Sequence, residues 1–90
     1  MENNNQLQLP SSLIARDDLS RTDMFLYALL SAQSQEGACT LSNKALSESM
    51  RIHQNSVSRH LHNLEQSGLI RREIVRASNN TIVGRRIYLI

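Results

Sequence analysis

Apolar residues recur at helical spacing in three stretches of this chain, then crowd into two strand-like runs at its carboxyl end. The run from Met24 to Leu30 is apolar on nearly every side, which places a helix inside a domain or across a subunit interface. Ser20-Arg21-Thr22-Asp23 ahead of it supplies an N-cap and an early acidic residue, and residues 35–37 mark its end. Residues 38–40 read as a short first strand. Ser42 caps a second helix in which Ala45, Leu46, Ser49 and Met50 fall on one face. The chain turns through residues 51–53, with Ile52 inward. In a third helix Val57, Leu61 and Leu64 recur at i, i+4 and i+7, and Gly68 fits the left-handed cap that closes it. Residues 70–76 and about 81–90 are rich in Ile, Val and Tyr and read as strands. Between them Ala77-Ser78-Asn79-Asn80 is a turn cluster, because Asn tolerates positive φ.

The third helix carries the chemistry. Gln54, Asn55, Ser56, Ser58, Arg59, His62 and Asn63 fall off its apolar stripe. Its outward face is therefore amides and hydroxyls with one guanidinium, not the Glu/Lys mixture that usually solvates a helix. Ser and Asn are indifferent helix formers, so they cost propensity here. A short polar face lets a helix backbone sit deep in a groove, and its donors and acceptors match base edges.

Three or four residues between the second and third helices is the spacing of a helix-turn-helix. The pattern Val57-Ser58-Arg59-x-Leu61-x-x-Leu64-Glu65-x-x-Gly68-Leu69-Ile70 resembles the winged helix-turn-helix superfamily. Leu41-Ser42-Asn43-Lys44-x-Leu46 upstream and Arg86-Ile87-Tyr88-Leu89 downstream extend the match from about residue 9 to residue 90. This pattern is found in MarR-like, ArsR-like and GntR-like regulators and in the N-terminal domains of plasmid and phage replication initiators. His53 departs from it, standing where such proteins more often carry Ser or Thr to cap the reading helix; a weaker cap is implied. The resemblance implies an α+β winged helix-turn-helix: three helices, a two- or three-stranded sheet and a C-terminal β-hairpin wing.

Charge changes the picture more than overall composition does. Ninety residues with 40% hydrophobic content make one domain, able to bury roughly 60–65% of its unfolded surface. The net charge is +2, but residues 1–50 carry three basic against six acidic side chains, a balance of −3. Residues 51–90 carry seven arginines against two glutamates, a balance of +5. Arginine suits bidentate contact with phosphate and guanine, so a polyanion partner is expected for the second half. With Phe25, Tyr27 and Tyr88 as its aromatics, the chain lacks a stacking platform for single strands, which favours duplex DNA.

Residues 1–8 are Asn/Gln-rich and read as a disordered arm, without the Lys or Arg that would carry it into a minor groove. Residues 9–90 read as one winged helix-turn-helix DNA-binding domain, with Leu9, Leu13 and Ile14 laid across the core beside Pro10. No run approaches the ~18 residues of a membrane span and no signal peptide is visible, so a cytoplasmic chain is expected. Cys39, the sole cysteine, reads as a small core residue. His60 and His62 lie on different sides of their helix with no acidic or Cys ligand spaced to join them, so no metal site is expected. His60 beside Val57 and Leu64 reads as half-buried packing. No nucleophile–base set, phosphate loop or carboxylate pair points to catalysis, a cofactor or a small-molecule ligand.

The expected base readers are Gln54, Asn55, Ser56, Ser58, Arg59 and His62, with Arg59 best suited to a guanine. Ser42, Asn43, Lys44 and Arg51, with Arg71, Arg72, Arg76, Asn79, Asn80, Arg85 and Arg86 on the wing, are the expected backbone and groove contacts. Residues 9–30 most resemble a replication-initiator lead-in. A transcriptional regulator on an operator is the alternative, and a plasmid-partition adaptor a further one. From a different class comes a protein-interaction winged helix using Phe25, Leu26 and Leu29. A homodimer through the first helix stays open.

Overall fold

The computed structural model describes residues 17–90. The readings made for residues 1–16, the arm and the lead-in across the core, lie outside the described residues. Along the rest run α1 (Arg21–Ala32), β1 (Ala38–Cys39), α2 (Asn43–Met50), α3 (Gln54–Gln66), β2 (Ile70–Arg76) and β3 (Ile82–Leu89). The sheet is antiparallel in the order β1-β3-β2, so it has three strands, and β2–β3 is the hairpin wing. The architecture is the expected α+β winged helix-turn-helix.

Local chemistry explains each boundary. Ser20 caps α1 through a full capping box: its hydroxyl accepts the Asp23 N–H at 3.0 Å, and Asp23 accepts the Ser20 N–H at 3.0 Å. Ser42 caps α2 by accepting the Ala45 N–H at 3.1 Å. His53 is itself the cap of α3, its Nδ1 accepting the Asn55 N–H at 3.0 Å. An imidazole nitrogen thus stands in for the hydroxyl found there more often. Gly68 at φ 78° ends the helix: Gly68 N–H reaches Glu65 O and Leu69 N–H reaches Leu64 O, each at 3.0 Å. That pair of bonds is the Schellman motif.

One core joins all six elements. Leu26 and Leu30 of α1, Cys39 of β1, Leu46 of α2, Val57, Leu61 and Leu64 of α3, and Ile70 and Ile87 of the sheet are buried together. Met24, Tyr27, Met50, Ile52 and Leu69 pack around them, so Ile52 does turn inward and Cys39 is a free core residue.

Several sequence expectations need correction. The α1 helix stops at Ala32, and residues 35–38 form a separate tight turn in which Gln35 and Ala38 exchange two backbone bonds. Glu36 and Gly37 both take positive φ there, at 54° and 87°, the signature of a turn matched to strand twist. On α2 it is Ser47 that is buried, its hydroxyl bonded to Lys44 O, whereas Ser49 is exposed. On α1, Leu26 and Leu29 are buried and Phe25 alone among the three is exposed, so they do not form a shared partner surface. Thr81 and Ile90 lie outside β3. His60 is more than a packing residue, and Asn63 is not outward, for both meet Asp23.

Asp23 is buried at 2% exposure, yet it holds three donors besides its place in α1. His60 Nδ1 lies 2.6 Å from Oδ1, and Asn63 Nδ2 lies 3.4 Å from the same oxygen. Burial alone favours the neutral acid, but the Ser20 N–H, His60 and Asn63 outweigh it and hold the carboxyl below the usual carboxylate range. The sign of the linkage follows. A depressed folded-state pKa contributes stability that is full above the unfolded value of about 4 and is lost as pH falls through the folded value. Urea titrations at pH 6, 4 and 3 are therefore expected to show falling stability, and Asp23→Asn should flatten that trend. An equally steep decline in the variant would move its origin to other carboxylates.

Candidate nucleic-acid interface

The face of α3 opposite Val57, Leu61 and Leu64 is fixed from beneath by those three buried side chains and by the His60 and Asn63 bonds to α1. On it Gln54, Asn55, Ser58, Arg59 and His62 are all exposed, and Ser56 is half-buried. Among the described residues, no protein partner engages the Arg59 guanidinium, the Asn55 amide or the Ser58 hydroxyl. Free, short donors on a rigid helix suit base edges in a major groove, since nothing must be broken before they bind.

The turn ahead of α3 places further groups beside this face. Arg51 closes α2 in the left-handed region at φ 59°, which no glycine signals in the sequence, and its side chain is exposed. Ser42 and Lys44 are exposed at the amino end of α2, where the first backbone N–H groups favour an anion. Asn43 is half-buried, and its Oδ1 is a buried acceptor without a protein partner among the described residues.

The wing arginines are brought onto one hairpin but not into one role. Arg72 is held by Glu65 of α3, with Nη2 at 2.6 Å and Nε at 3.1 Å from Oε1, which ties the wing to the reading helix. That bond comes first among the influences that hold the Glu65 carboxyl below its usual range. Arg85 is half-buried and donates to Leu41 O at 3.1 Å, fixing the wing to the residue before the α2 cap. Arg71 lies 4.3 Å over the Tyr88 ring, a cation–π contact, while Tyr88 donates to Glu73 at 3.1 Å. Arg86 stands 3.6 Å from Glu73, both about half exposed, which is a loose surface pair. Arg76 is exposed near the tip and bonds Asn80 O at 3.0 Å. Asn79 accepts the Thr81 N–H at 3.1 Å and Asn80 takes φ 69°, so both asparagines build the turn.

Charge counting missed these partners. It placed all five arginines on the wing, correctly, but could not see that Arg72 and Arg85 serve the fold. It also missed the apolar side chains Ile74, Ile82 and Val83, which stay exposed at the wing's outer end. Among the described residues no group of His, Cys, Asp or Glu could hold a metal ion, and no helix is long and apolar enough to cross a membrane.

A family model described as a helix-turn-helix domain matches residues 17–70, more than half of the chain, running from the lead into α1 to the first residue of β2. Among solved structures the chain is similar to one described as the N-terminal domain of a DNA-binding protein. The TM-score is 0.71 and the identity 19%, over 94% of this chain and 73% of that one; at that identity the likeness is one of fold. No curated protein matches the chain.

Proposed function

The chain belongs to the helix-turn-helix domain family, whose members are DNA-binding domains, and from that premise we propose that it binds duplex DNA sequence-specifically as the DNA-binding part of a plasmid or phage replication initiator. The observation that carries the reading is the exposed polar face of α3, on which the Asn55, Ser58 and Arg59 side chains have no protein partner among the described residues. Gln54, Asn55, Ser58, Arg59 and His62 read base edges in the major groove, with Ser56 at the margin. Ser42, Lys44 and Arg51 hold phosphates at the helix-turn-helix. On the wing Arg71, Arg76 and Arg86 meet backbone or the adjacent groove, while Arg72 and Arg85 set the wing's position. The replication role is supported by the resemblance of residues 9–30, and the fold shared with an N-terminal domain of a DNA-binding protein supports DNA binding as such. An operator-binding regulator remains the second reading, because it needs the same helix face.

Selection from a random duplex pool, followed by mapping of binding across the genetic locus, tests this. Enrichment of one motif, repeated at an origin, is expected. A single motif at a promoter would favour the regulator, and no enrichment would sink sequence-specific binding.

Phe25, exposed on α1, supports a homodimer on two half-sites about 10 base pairs apart or a multiple of that. Sedimentation showing a monomer both free and on DNA would reject it. Arg76 near the wing tip carries a separate expectation. Arg76→Ala should weaken cognate and random duplexes by similar factors and make the log–log salt slope shallower by about 0.9. Loss confined to the cognate duplex would make Arg76 a base reader instead.

A further inference from the structure

Five large apolar side chains stay exposed among the described residues, and three of them, Ile74, Ile82 and Val83, sit together on the wing. They are 52%, 57% and 63% exposed, and they line the wing side of one open cleft of about 400 Å³. A contiguous apolar patch of this kind marks an interaction site more often than scattered exposed residues do. Ile74 stands opposite Arg85 in the β2–β3 register, so a cation adjoins the patch. Arg85 is half-buried, and its Nε is a buried donor with no acceptor among the described residues. The one bond it makes to Leu41 O is to a neutral group. Burial, and then the neighbouring Arg72 charge, hold the Arg85 pKa below the usual arginine range. No carboxylate lines the cleft.

A half-buried cation without a counter-charge is stabilised by any carboxylate brought up to it. The surface that complements this one is an apolar side chain beside an acid. The chain carries that combination in its own acidic half, where residues 1–50 balance to −3 against +5 for residues 51–90. Phe25 on α1, 43% exposed, is the large apolar residue left exposed in that half among the described residues. Asp17 and Asp18 are exposed just ahead of the same helix. Even with Arg21 between them, residues 17–25 hold three acidic side chains against one basic. Phe25 and the wing patch both stay open to solvent, so one copy does not cover its own patch with its own α1.

We propose that the wing patch seats the amino end of α1 from a second copy of this chain, with Phe25 packed on Ile74, Ile82 and Val83 and the Asp17 carboxylate turned toward Arg85. The inference rests on the homodimer reading and names the surface that Phe25 meets. The α2 side of the cleft, with Ser42, is left to DNA. Because the two joined surfaces are different, the contact is head-to-tail: each copy offers its wing to one neighbour and its α1 to another. Copies joined in this way keep the same orientation along a duplex, whereas a symmetric α1–α1 seam would turn one copy around.

The test titrates duplexes carrying two copies of the selected motif about 10 base pairs apart, as direct or inverted repeats, and a duplex carrying one. Wild-type protein is expected to bind the direct repeat cooperatively and the inverted repeat without cooperativity. Phe25→Ser and, separately, Ile82→Thr/Val83→Thr should each lower the cooperativity about tenfold, and Asp17→Asn by a smaller factor, with single-motif affinity unchanged. Thr keeps the β-branched shape and strand propensity, and an unchanged thermal melt checks the fold. Ile74→Thr stands in if the double variant fails to fold. An equimolar mixture of the Phe25 and wing variants brings one intact wing and one intact α1, so cooperativity should return in part. No recovery, with the wing variant alone behaving as wild type, would place Phe25 in an α1–α1 seam and overturn the proposal. Lower single-motif affinity in the wing variant would assign the patch to DNA instead. Cooperativity on the inverted repeat, or on neither, would also overturn the contact. If the wild type binds no duplex, the DNA reading fails by itself, and sedimentation of the free protein with the same variants and mixture decides the contact.

Discussion

Asp23→Ala is expected to destabilise the domain by about 2–4 kcal/mol. The carboxylate closes the capping box of α1 and meets His60 and Asn63, two residues on one side of α3. Alanine removes the acceptor from the Ser20 N–H and leaves two polar side chains facing a space that water reaches poorly. A buried donor stripped of its partner forfeits its full desolvation cost, whereas a surface pair of the same geometry would forfeit little. Total stability for a small domain is about 5–15 kcal/mol, so a large part of it is at stake. Asp23→Asn keeps one acceptor oxygen and should lose less than alanine does. Because the same bonds set α3 against α1, DNA affinity should fall further than the unfolded fraction alone explains. Urea melts of the wild type and both variants measure the first effect. A loss under about 0.5 kcal/mol for alanine would show that the helices are held by the apolar core alone.

Arg59→Ala carries the second large effect, about 1–3 kcal/mol on the cognate duplex with preference relaxed at one base position. Arg59 is exposed on α3 between Val57 and Leu61, which are both fully buried, so its backbone cannot drift. Among the described residues it has no carboxylate to leave, unlike Arg72. A guanidinium presented in this way can make two bonds to one guanine edge, which a phosphate contact could not translate into sequence preference. Titrations on cognate and scrambled duplexes separate the two roles. Equal losses on both would make Arg59 a backbone contact and shift reading to Gln54, Asn55 and Ser58.

The fold is legible in the sequence where one physical rule acts without competition. The Val57–Leu61–Leu64 stripe, the Gly68 stop and the strand over residues 70–76 are such cases, and each lies where expected. Local periodicity fails where polar groups are buried in pairs. Asp23 and His60 stand 37 residues apart, and nothing near either one announces the other. Ser47 displaces Ser49 from the inner face of α2 because its hydroxyl finds Lys44 O, a bond that lets a polar side chain go inside. The polar face of α3 is legible as a candidate reader because the structure leaves its residues exposed. The wing is only half legible. An arginine count gives the sign of the field but not its partners, so Glu65 and Leu41 O are invisible to it. A run of β-branched residues predicts a strand, and the same run hides the fact that its outer end, at Ile74, Ile82 and Val83, stays more than half exposed.

The most direct test of the central claim is the affinity of the wild-type chain for its selected duplex, measured across a range of salt concentrations. In the proposed complex the cations Lys44, Arg51, Arg71, Arg76 and Arg86, exposed or loosely paired, would neutralise about four to five phosphates. The log–log slope should therefore be about −4 to −5, with tighter binding to the selected duplex than to a scrambled one at every salt. Binding that ignores salt, or no binding to any duplex at low salt, would contradict the account.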